Sequence, residues 1–248
     1  MRGRYPAAPG FSYSFGPGPL TPAIKALIIA NVAMFVLAFI APAITRELGL
    51  HPEAVFTGFA IWQPVTYMFL HGGIFHILFN MLALWMFGTE LERMWGSRFF
   101  TRYYFITGVG AAATTLLLSI MPIGIADQLY YSLTIGASGA VYGILLAYGM
   151  YFPNRPIYLY FIFPIPAKYF VMIVGAISLF ASMSGGGGVA HTAHLGGLLA
   201  GYLYLKSGSF HPVSEIKYRY LKWRINRMRR KFDIVSGGRA DDVNRRVH

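Results

Sequence analysis

The sequence contains no cysteine and few charged residues, and both shortages narrow what the protein can be. Without cysteine the chain forms no disulfide and has no thiolate nucleophile, and it gives no evidence about its redox compartment. Charged residues make up 12% of the 248 residues, about half of the share that is usual in a soluble domain. Hydrophobic residues make up 56%, and the mean hydropathy is +0.51. These values predict a polytopic membrane protein.

Acidic residues are scarcer than basic ones, which gives the chain a net charge of +12. In a soluble protein such an excess would point to nucleic acid. Here the basic residues lie mostly outside the apolar runs, where membrane topology and anionic lipid explain them better. We therefore expect a lipid bilayer as a partner and no nucleic acid.

Apolar runs occupy most of the chain, and the longer ones meet the roughly 20 residues that a membrane-spanning helix needs. The runs lie at 23–43, 74–94, 100–121, 138–152, 167–183 and 190–205. The runs that begin at Ser138 and Ala190 are short, as expected of helices that start inside a water-accessible cavity. The pattern predicts an all-α polytopic bundle of six transmembrane helices.

Charge asymmetry predicts the orientation of these helices. Basic residues mark both ends of the chain and the second and fourth connections, which contain Arg98 and Arg155. The third connection carries Asp127 alone, and the fifth carries no charge. The positive-inside rule therefore places both termini and the even-numbered connections in the cytoplasm. We expect an integral, multi-pass protein of a bacterial inner membrane.

The membrane domain is assigned to residues 23–207, with a segment of different composition on each side. Residues 1–22 are rich in proline and glycine and predict a disordered or surface-lying leader. Within the domain, residues 44–73 mix charged and aromatic residues, which predicts a loop at the membrane interface or partly inserted under cover of protein. Residues 208–248 form a basic tail.

The tail has the pattern of an amphipathic helix that Ser214 can cap. Its apolar face comprises Leu221, Ile225, Met228 and Phe232. Basic residues fill much of the remainder, so we expect this helix to contact anionic lipid of the cytoplasmic leaflet. A charge run that only sets the topology, without docked structure, is the alternative. The chain from Asp233 onward is expected to be disordered.

Polar residues are rare inside the apolar runs, so each of them is a functional candidate. His76 lies near the start of the second run with Asn80 one helical turn beyond it, which places both on one helix face. Ser138 opens the fourth run, and His194 lies near the start of the sixth. The predicted topology brings these residues into the same leaflet at similar depth, although they come from three helices.

Glycines offer a way to bring Ser138 and His194 together. Two pairs of glycines are four residues apart within a run, namely Gly139 with Gly143 and Gly197 with Gly201. Small residues at this spacing let helix backbones approach closely. If the two faces pack together, Ser138 can reach His194, and Tyr142 can pack against the imidazole.

The chemistry of these residue types indicates a nucleophile with its base. A serine hydroxyl is a poor nucleophile unless a neighbouring base takes its proton, and histidine is the usual base. No acidic residue accompanies these positions, so we expect a dyad of Ser138 and His194 without a third carboxylate. The backbone N–H of Ser138, with the side chains of His76 and Asn80, would stabilise the oxyanion.

Other interpretations of the histidines stay open from the residues alone. The four of them in or beside the runs, which include His71 and His191, could bind a metal, although an HExxH motif and paired carboxylates are absent. They could also pack structurally beside a structural serine. Taken individually, His71 and His191 are better explained as structural or cavity-lining. We expect no metal and no cofactor.

Together these residues match a known family: over roughly residues 20–207 the chain resembles the rhomboid intramembrane serine proteases. The matching motifs are Gly136-Ala137-Ser138-Gly139 with Tyr142, His71 followed by His76-Ile77-Leu78-Phe79-Asn80, Gly88-Thr89-Glu90-Leu91-Glu92-Arg93-Met94-Trp95-Gly96-Ser97, and Ala193-His194-Leu195-Gly196-Gly197 with Gly201. Each motif is short, but together and in this order they are highly specific.

The resemblance implies a six-span rhomboid fold in which Ser138 is the nucleophile and His194 the general base. His76, Asn80 and the Ser138 amide would hold the oxyanion, and Tyr142 would stack on His194. It also implies cleavage of transmembrane segments of other membrane proteins near their outer ends, at small residues in helix-destabilising sequence.

Two further functions remain as alternatives. A catalytically silent relative would bind membrane-protein clients, but it would be expected to have lost Ser138 or His194, and both are present. A metal or proton transporter is disfavoured because intramembrane carboxylates and an internal repeat are missing.

One position departs from the family pattern. The first loop of the family often carries Trp-Arg, whereas this chain has Trp62-Gln63. Losing a guanidinium removes up to five donors that could tie down loop backbone. This leaves the rigidity of the loop open, without affecting the dyad.

Overall fold

Helices make up most of this computed structural model, which describes residues 16–159, 163–183 and 188–209. The elements in chain order are α1 (Pro22–Ile40), α2 (Ala43–Leu48), α3 (Pro52–Thr57), α4 (Gln63–Thr66), a 3-10 turn (Tyr67–Phe69), α5 (Ile74–Ala83), a π-helical turn (Leu84–Gly88), α6 (Thr89–Trp95), α7 (Ser97–Ser119), α8 (Ala126–Tyr130), α9 (Ser138–Tyr151), β1 (Pro156–Leu159), β2 (Phe163–Pro166), α10 (Ala167–Met183) and α11 (Gly188–Ser209). Residues 1–15 of the leader and the expected amphipathic helix of the tail lie outside the described residues.

The long helices follow the apolar runs of the sequence closely. α10 has the predicted bounds, and α9 ends one residue before its run does. α7 begins three residues early, at Ser97, because Gly96 has a φ of 78° that ends α6 and lets the chain turn. Apolar content therefore located these helices well, while their exact ends depend on turn residues.

The outer surface of the described helices is strongly apolar. Phe39 on α1 is 82% exposed and Phe180 on α10 is 71% exposed, which suits contact with lipid and would be unfavourable in water. By length and composition, two of the described helices can cross a membrane, Pro22–Ile40 and the continuous helix Ile74–Trp95; Ala167–Ser182 is a shorter apolar helix.

The first loop consists largely of short helices that hydrogen bonds join to one another and to a later part of the chain. α2, α3, α4 and the 3-10 turn follow one another between α1 and α5. Thr66 donates its hydroxyl to the carbonyl of Leu48 across 2.6 Å. Leu50 forms a two-way backbone bridge with Thr134, with N···O distances of 2.9 and 2.8 Å. The loop is thereby joined to the segment that leads into α9.

Some elements have no counterpart in the apolar pattern. The antiparallel hairpin of β1 and β2 pairs Pro156 with Pro166 and connects α9 to α10. Asp127, which the third connection carries, lies in the short helix α8. The π-helical turn interrupts the second long helix at Leu84–Gly88, where a methyl group on Gly88 would come within 2.6 Å of Ile24.

A buried carboxylate holds the start of α1. Glu92 is 2% exposed and accepts hydrogen bonds from the backbone N–H groups of Ala23 and Ile24, at 2.9 and 3.0 Å. It also accepts from the hydroxyl groups of Thr21 and of Ser97. The first N–H groups of a helix lack partners within the helix, so an acceptor here satisfies donors that would otherwise be buried unpaired.

The end of the leader lies along the second long helix. Trp85 donates its indole N–H to the carbonyl of Gly18 at 3.1 Å. Arg93 donates to the carbonyls of Pro17 and of Pro19. Three successive backbone carbonyls therefore accept hydrogen bonds from this helix, and they hold residues 17–19 against it.

The described residues up to Leu205 form one compact unit by their internal contacts. Its core includes large side chains from α7, among them Phe100, Tyr103 and Tyr104, each of which is 0% exposed. Tyr103 donates its hydroxyl to the carbonyl of Gly143 on α9 at 2.7 Å. The second unit, Lys206–His248, is described only at the end of α11.

Candidate active site

Ser138 is the first residue of α9, directly after a tightly constrained turn. Gly136 has a φ of +129°, a conformation that side chains rarely adopt, and its N–H donates to the carbonyl of Tyr67 at 2.9 Å. Two residues earlier, Thr134 is fixed by its bridge to Leu50. The backbone before Ser138 is therefore anchored to the first loop at two points.

His194 lies beside Ser138, although the two residues come from different helices. The Nε2 atom of His194 is 2.8 Å from the Oγ atom of Ser138, a normal hydrogen-bond length. If the hydroxyl donates this bond, Nε2 is the acceptor and the ring proton lies on Nδ1. That Nδ1 is buried and has no hydrogen-bond partner in the described part of the chain. The arrangement suits transfer of the hydroxyl proton to His194.

The two helices approach closely enough for this contact because glycines face each other. A methyl group on Gly197 of α11 would overlap the carbonyl oxygen of Gly139 on α9. One turn further, a methyl group on Gly201 would lie 3.3 Å from the Cα of Gly143. The structure thus brings together the two glycine faces that the sequence singled out, and any side chain at these positions would push the helices apart.

Tyr142 lies flat against the imidazole of His194. The ring centroids are 4.1 Å apart and the planes differ by 8°. Stacking on a rigid ring restricts how the imidazole can rotate. His191 approaches the same imidazole edge-on, with centroids 5.6 Å apart and planes at 81°.

His76 lies next to the turn before Ser138. A methyl group on Gly136 would be 2.8 Å from the Nε2 atom of His76 and 3.6 Å from the Oγ atom of Ser138. The Nδ1 atom of His76 accepts a hydrogen bond of 3.3 Å from the backbone N–H of Gly72. In a neutral ring with Nδ1 as acceptor, Nε2 carries the proton, so a donor faces the region of Ser138.

Asn80, predicted as an oxyanion donor, is held against its own helix by one hydrogen bond. Its Nδ2 atom donates to the carbonyl of His76, one turn earlier in the same helix, at 2.8 Å. The residue is 7% exposed. An amide nitrogen has two hydrogens, so one remains for a ligand while the other fixes the side chain to the helix.

His71 packs against His76. Its ring lies edge-on to that of His76, with centroids 5.0 Å apart, and it is 6% exposed. Burial, together with the proximity of His76, lowers the pKa of His71 to about 4. Among the described residues, no group of three or more His, Asp or Glu side chains is arranged to hold a metal ion.

The sequence did not reveal the part that the first loop plays in positioning Ser138. Gln63 is 3% exposed; it accepts a hydrogen bond of 2.9 Å from the N–H of His51 and donates one of 3.3 Å to the carbonyl of Glu47. Trp62 donates its indole N–H to the same carbonyl at 3.0 Å. The amide therefore ties loop backbone where the family often has a guanidinium. In the sequence the only indication was a glutamine at this position. Its partners are backbone groups, which leave no pattern in the sequence.

Comparison with known proteins identifies the family. The rhomboid domain family matches residues 58–208. The chain belongs to the rhomboid family. It is therefore a helical polytopic membrane protein, in agreement with its apolar outer surface.

Several curated proteins are similar to this rhomboid chain. It is 35% identical over 139 residues to "Rhomboid protein 1, mitochondrial" of Saccharomyces cerevisiae, which covers 55% of this chain and 38% of the yeast protein. It is 32% identical over 143 residues to "Rhomboid protease GluP" of Bacillus subtilis, covering 57% of this chain and 25% of that protein. Identity to "Rhomboid protease AarA" of Providencia stuartii is 29% over 200 residues, covering 71% and 69%. The chain thus spans half or less of the length of the yeast and Bacillus relatives.

Proposed function

We propose that this rhomboid protein is an intramembrane serine endopeptidase that cleaves transmembrane segments of other membrane proteins. The observation that carries the proposal is the 2.8 Å contact between the Nε2 atom of His194 and the Oγ atom of Ser138. A base at hydrogen-bond distance is what a serine needs to become a nucleophile. The names of two similar proteins, both rhomboid proteases, support the same activity.

In the proposed mechanism, Ser138 Oγ attacks the carbonyl carbon of the scissile peptide bond while His194 Nε2 takes the hydroxyl proton. The tetrahedral intermediate collapses when His194 returns that proton to the leaving amine, and an acyl-enzyme remains. A water molecule then attacks the ester, again with His194 as general base, and Ser138 is regenerated. No metal or other cofactor is needed for these steps.

The oxyanion of the intermediate needs donors that are already in place. The N–H of Ser138 is one candidate, because the first N–H groups of a helix have no partner within it. The Nε2–H of His76 is a second, since this ring lies against the turn at Gly136. Asn80 is a third through its remaining amide hydrogen, and its bond to the carbonyl of His76 would keep the two side chains in register.

His194 has no carboxylate partner in this proposal, so stacking takes over the task of orientation. In the Ser-His-Asp arrangement a carboxylate holds the imidazole and stabilises its charged form. Here Tyr142 supplies a flat, tightly packed surface. The stacked phenol thus orients the imidazole but supplies no counter-charge.

We further propose the six-span arrangement, with both termini in the cytoplasm and Ser138 near the outer leaflet of a bacterial inner membrane. Support comes from the charge asymmetry of the connections and from the agreement of helices α1, α5–α6, α7, α9, α10 and α11 with the apolar runs. The basic tail would contact anionic lipid.

The test uses purified protein in liposomes with a model transmembrane substrate. Ser138→Ala and His194→Ala are each expected to lower kcat by at least about 10³-fold. Ser132→Ala serves as the matched control, since its hydroxyl only bonds the carbonyl of Leu129 in its own turn. Cleavage that survives Ser138→Ala overturns the mechanism. Absence of cleavage by the wild type, together with capture of intact substrate, would favour a catalytically silent client-binding protein.

A further inference from the structure

α10 is exposed on most of its surface and packs along one narrow stripe. Ile177, Leu179 and Phe180 are 58%, 48% and 71% exposed, whereas Ser178 between them is 0% exposed. Earlier on the same stripe, Val171 packs on α9, where a methyl group on Gly149 would come within 2.9 Å of it. The stripe therefore continues from Val171 to Ser178 and places a hydroxyl group in an otherwise apolar contact.

The hydroxyl of Ser178 donates a hydrogen bond to the phenol oxygen of Tyr142, with an O···O distance of 3.1 Å. Serine in a helix commonly bonds a carbonyl of its own preceding turn. Ser182, one turn later on α10, does so: its hydroxyl bonds the carbonyl of Leu179 at 2.7 Å. Ser178 instead reaches across to α9, so its bond links two helices.

Tyr142 is the residue whose ring stacks on His194 at 4.1 Å. The phenol ring of Tyr142 can tilt about its side-chain torsions. It can therefore hold the imidazole in place only if its own orientation is restrained. The hydrogen bond from Ser178 restrains the far end of this ring, opposite its attachment to α9. The contacts thus run without interruption from Ser178 through Tyr142 to His194 and the Oγ of Ser138.

We propose that Ser178 is a positioning residue for the catalytic dyad: its hydrogen bond holds the ring of Tyr142 in the orientation that aligns His194 with Ser138. The inference rests on the proposed function, since alignment matters only if His194 acts as a base. Ser178 itself touches neither the dyad nor substrate in this proposal. It acts entirely through the phenol oxygen of Tyr142.

Loss of this hydrogen bond is expected to lower kcat by a modest but measurable factor. Removing one neutral hydrogen bond from a buried pair leaves the other hydroxyl unsatisfied. We expect Ser178→Ala to lower kcat about three- to tenfold while KM stays unchanged, because Ser178 makes no contact with substrate. Ser178→Cys fills the space with a somewhat larger atom but donates only weakly, so a loss of kcat like that of Ser178→Ala would point to the hydrogen bond and not to an unfilled space.

The test is a double-mutant cycle in liposomes between Ser178→Ala and Tyr142→Phe, which removes the acceptor and keeps the stacked ring. Two rates are measured for each variant: kcat on a transmembrane substrate, and labelling of Ser138 by a fluorophosphonate, which needs the dyad but no substrate entry. Ser182→Ala is the matched control on the same helix. Thermal unfolding shows whether each variant is folded.

The expected result is that both single variants slow kcat and labelling alike, and that the double variant is no slower than Tyr142→Phe alone. Ser182→Ala should match the wild type. An active wild type with unchanged rates in Ser178→Ala, additive losses in the double variant, or a change confined to KM overturns the inference and leaves the proposed function standing. A wild type that neither cleaves nor becomes labelled overturns the proposed function, and this inference with it.

Discussion

Gly197 on α11 packs directly against the backbone carbonyl of Gly139 on α9. No side chain separates the two helices at this point, and one turn away Ser138 and His194 meet. The same contact therefore serves packing and function, since the distance between the helices determines the distance between nucleophile and base. This relationship can be tested by adding one methyl group.

Gly197→Ala is expected to lower the cleavage rate by about a hundredfold, because displacing reacting groups by about 1 Å costs this much. The added methyl would overlap the carbonyl of Gly139 and also lower the free energy of unfolding by about 1–3 kcal/mol. Gly124→Ala is the control, since a methyl group there meets nothing within 4 Å. Substrate cleavage and thermal unfolding are the measurements; unchanged cleavage by Gly197→Ala would show that the helix contact does not set the alignment.

The sequence contained enough to predict the helices and to bring Ser138 and His194 together. Apolar length located the helices, and charge asymmetry predicts that the polar residues lie in one leaflet. The sequence does not predict contacts between backbone groups that lie far apart along the chain. The bridge between Leu50 and Thr134 and the bond from Gly136 to the carbonyl of Tyr67 involve groups that every residue carries, so they leave no pattern.

The orientation of single polar side chains was also beyond the sequence. Asn80 has the spacing of a partner for His76, yet part of its amide bonds the carbonyl of His76 within the helix. Ser178 and Ser182 are equivalent in the sequence of α10, but one crosses to α9 and the other stays within its own turn. Which neighbour a hydroxyl or amide meets is decided by helix packing and not by local sequence.

Glu92→Gln is expected to lower the free energy of unfolding by about 1–3 kcal/mol, since an amide nitrogen cannot accept the bonds that one carboxylate oxygen accepts at the start of α1. The specific activity of the folded fraction should not change, because Glu92, on α6, bonds the start of α1 and Ser97 and no residue of the dyad. Glu90→Gln is the control: its ion pair with Arg155 is partly exposed, so its loss should cost less than about 1 kcal/mol. Equal destabilisation by the two variants in thermal unfolding would contradict the role given to Glu92.

We expect the protein to lose stability as the pH falls from 6.5 to about 4, because His71 stays neutral in the folded protein over this range. Burial lowers the pKa of His71 to about 4 from an ordinary value of 6.5. Below pH 6.5 the unfolded chain binds a proton that the folded one does not, so unfolding becomes easier until about pH 4 is reached. Between pH 7 and 5 this amounts to about 2 kcal/mol.

His71→Asn isolates this contribution from those of other titrating groups. The variant should be less stable than the wild type at pH 7 but should lose about 2 kcal/mol less on going to pH 5. Thermal unfolding in detergent at both pH values measures the difference. Parallel pH dependence in the two proteins would mean that His71 is readily protonated in the folded state.

Gln63 stands where the family often has arginine, and it makes a loop contact that an arginine could not reproduce. Its side-chain oxygen accepts from the N–H of His51 at 2.9 Å, and a guanidinium has no acceptor. The neighbouring Leu50 holds Thr134 and thereby the backbone before Ser138. We expect Gln63→Ala and Gln63→Arg each to cost about 1–2 kcal/mol of stability and to slow cleavage. Gln63→Glu keeps the acceptor but places a buried carboxylate against the carbonyl of Glu47, which now lacks its donor, so it should be no milder. Thermal unfolding and kcat are compared for the three variants; if Gln63→Arg is as stable and active as the wild type, the acceptor is dispensable and the first loop is held by its other bonds.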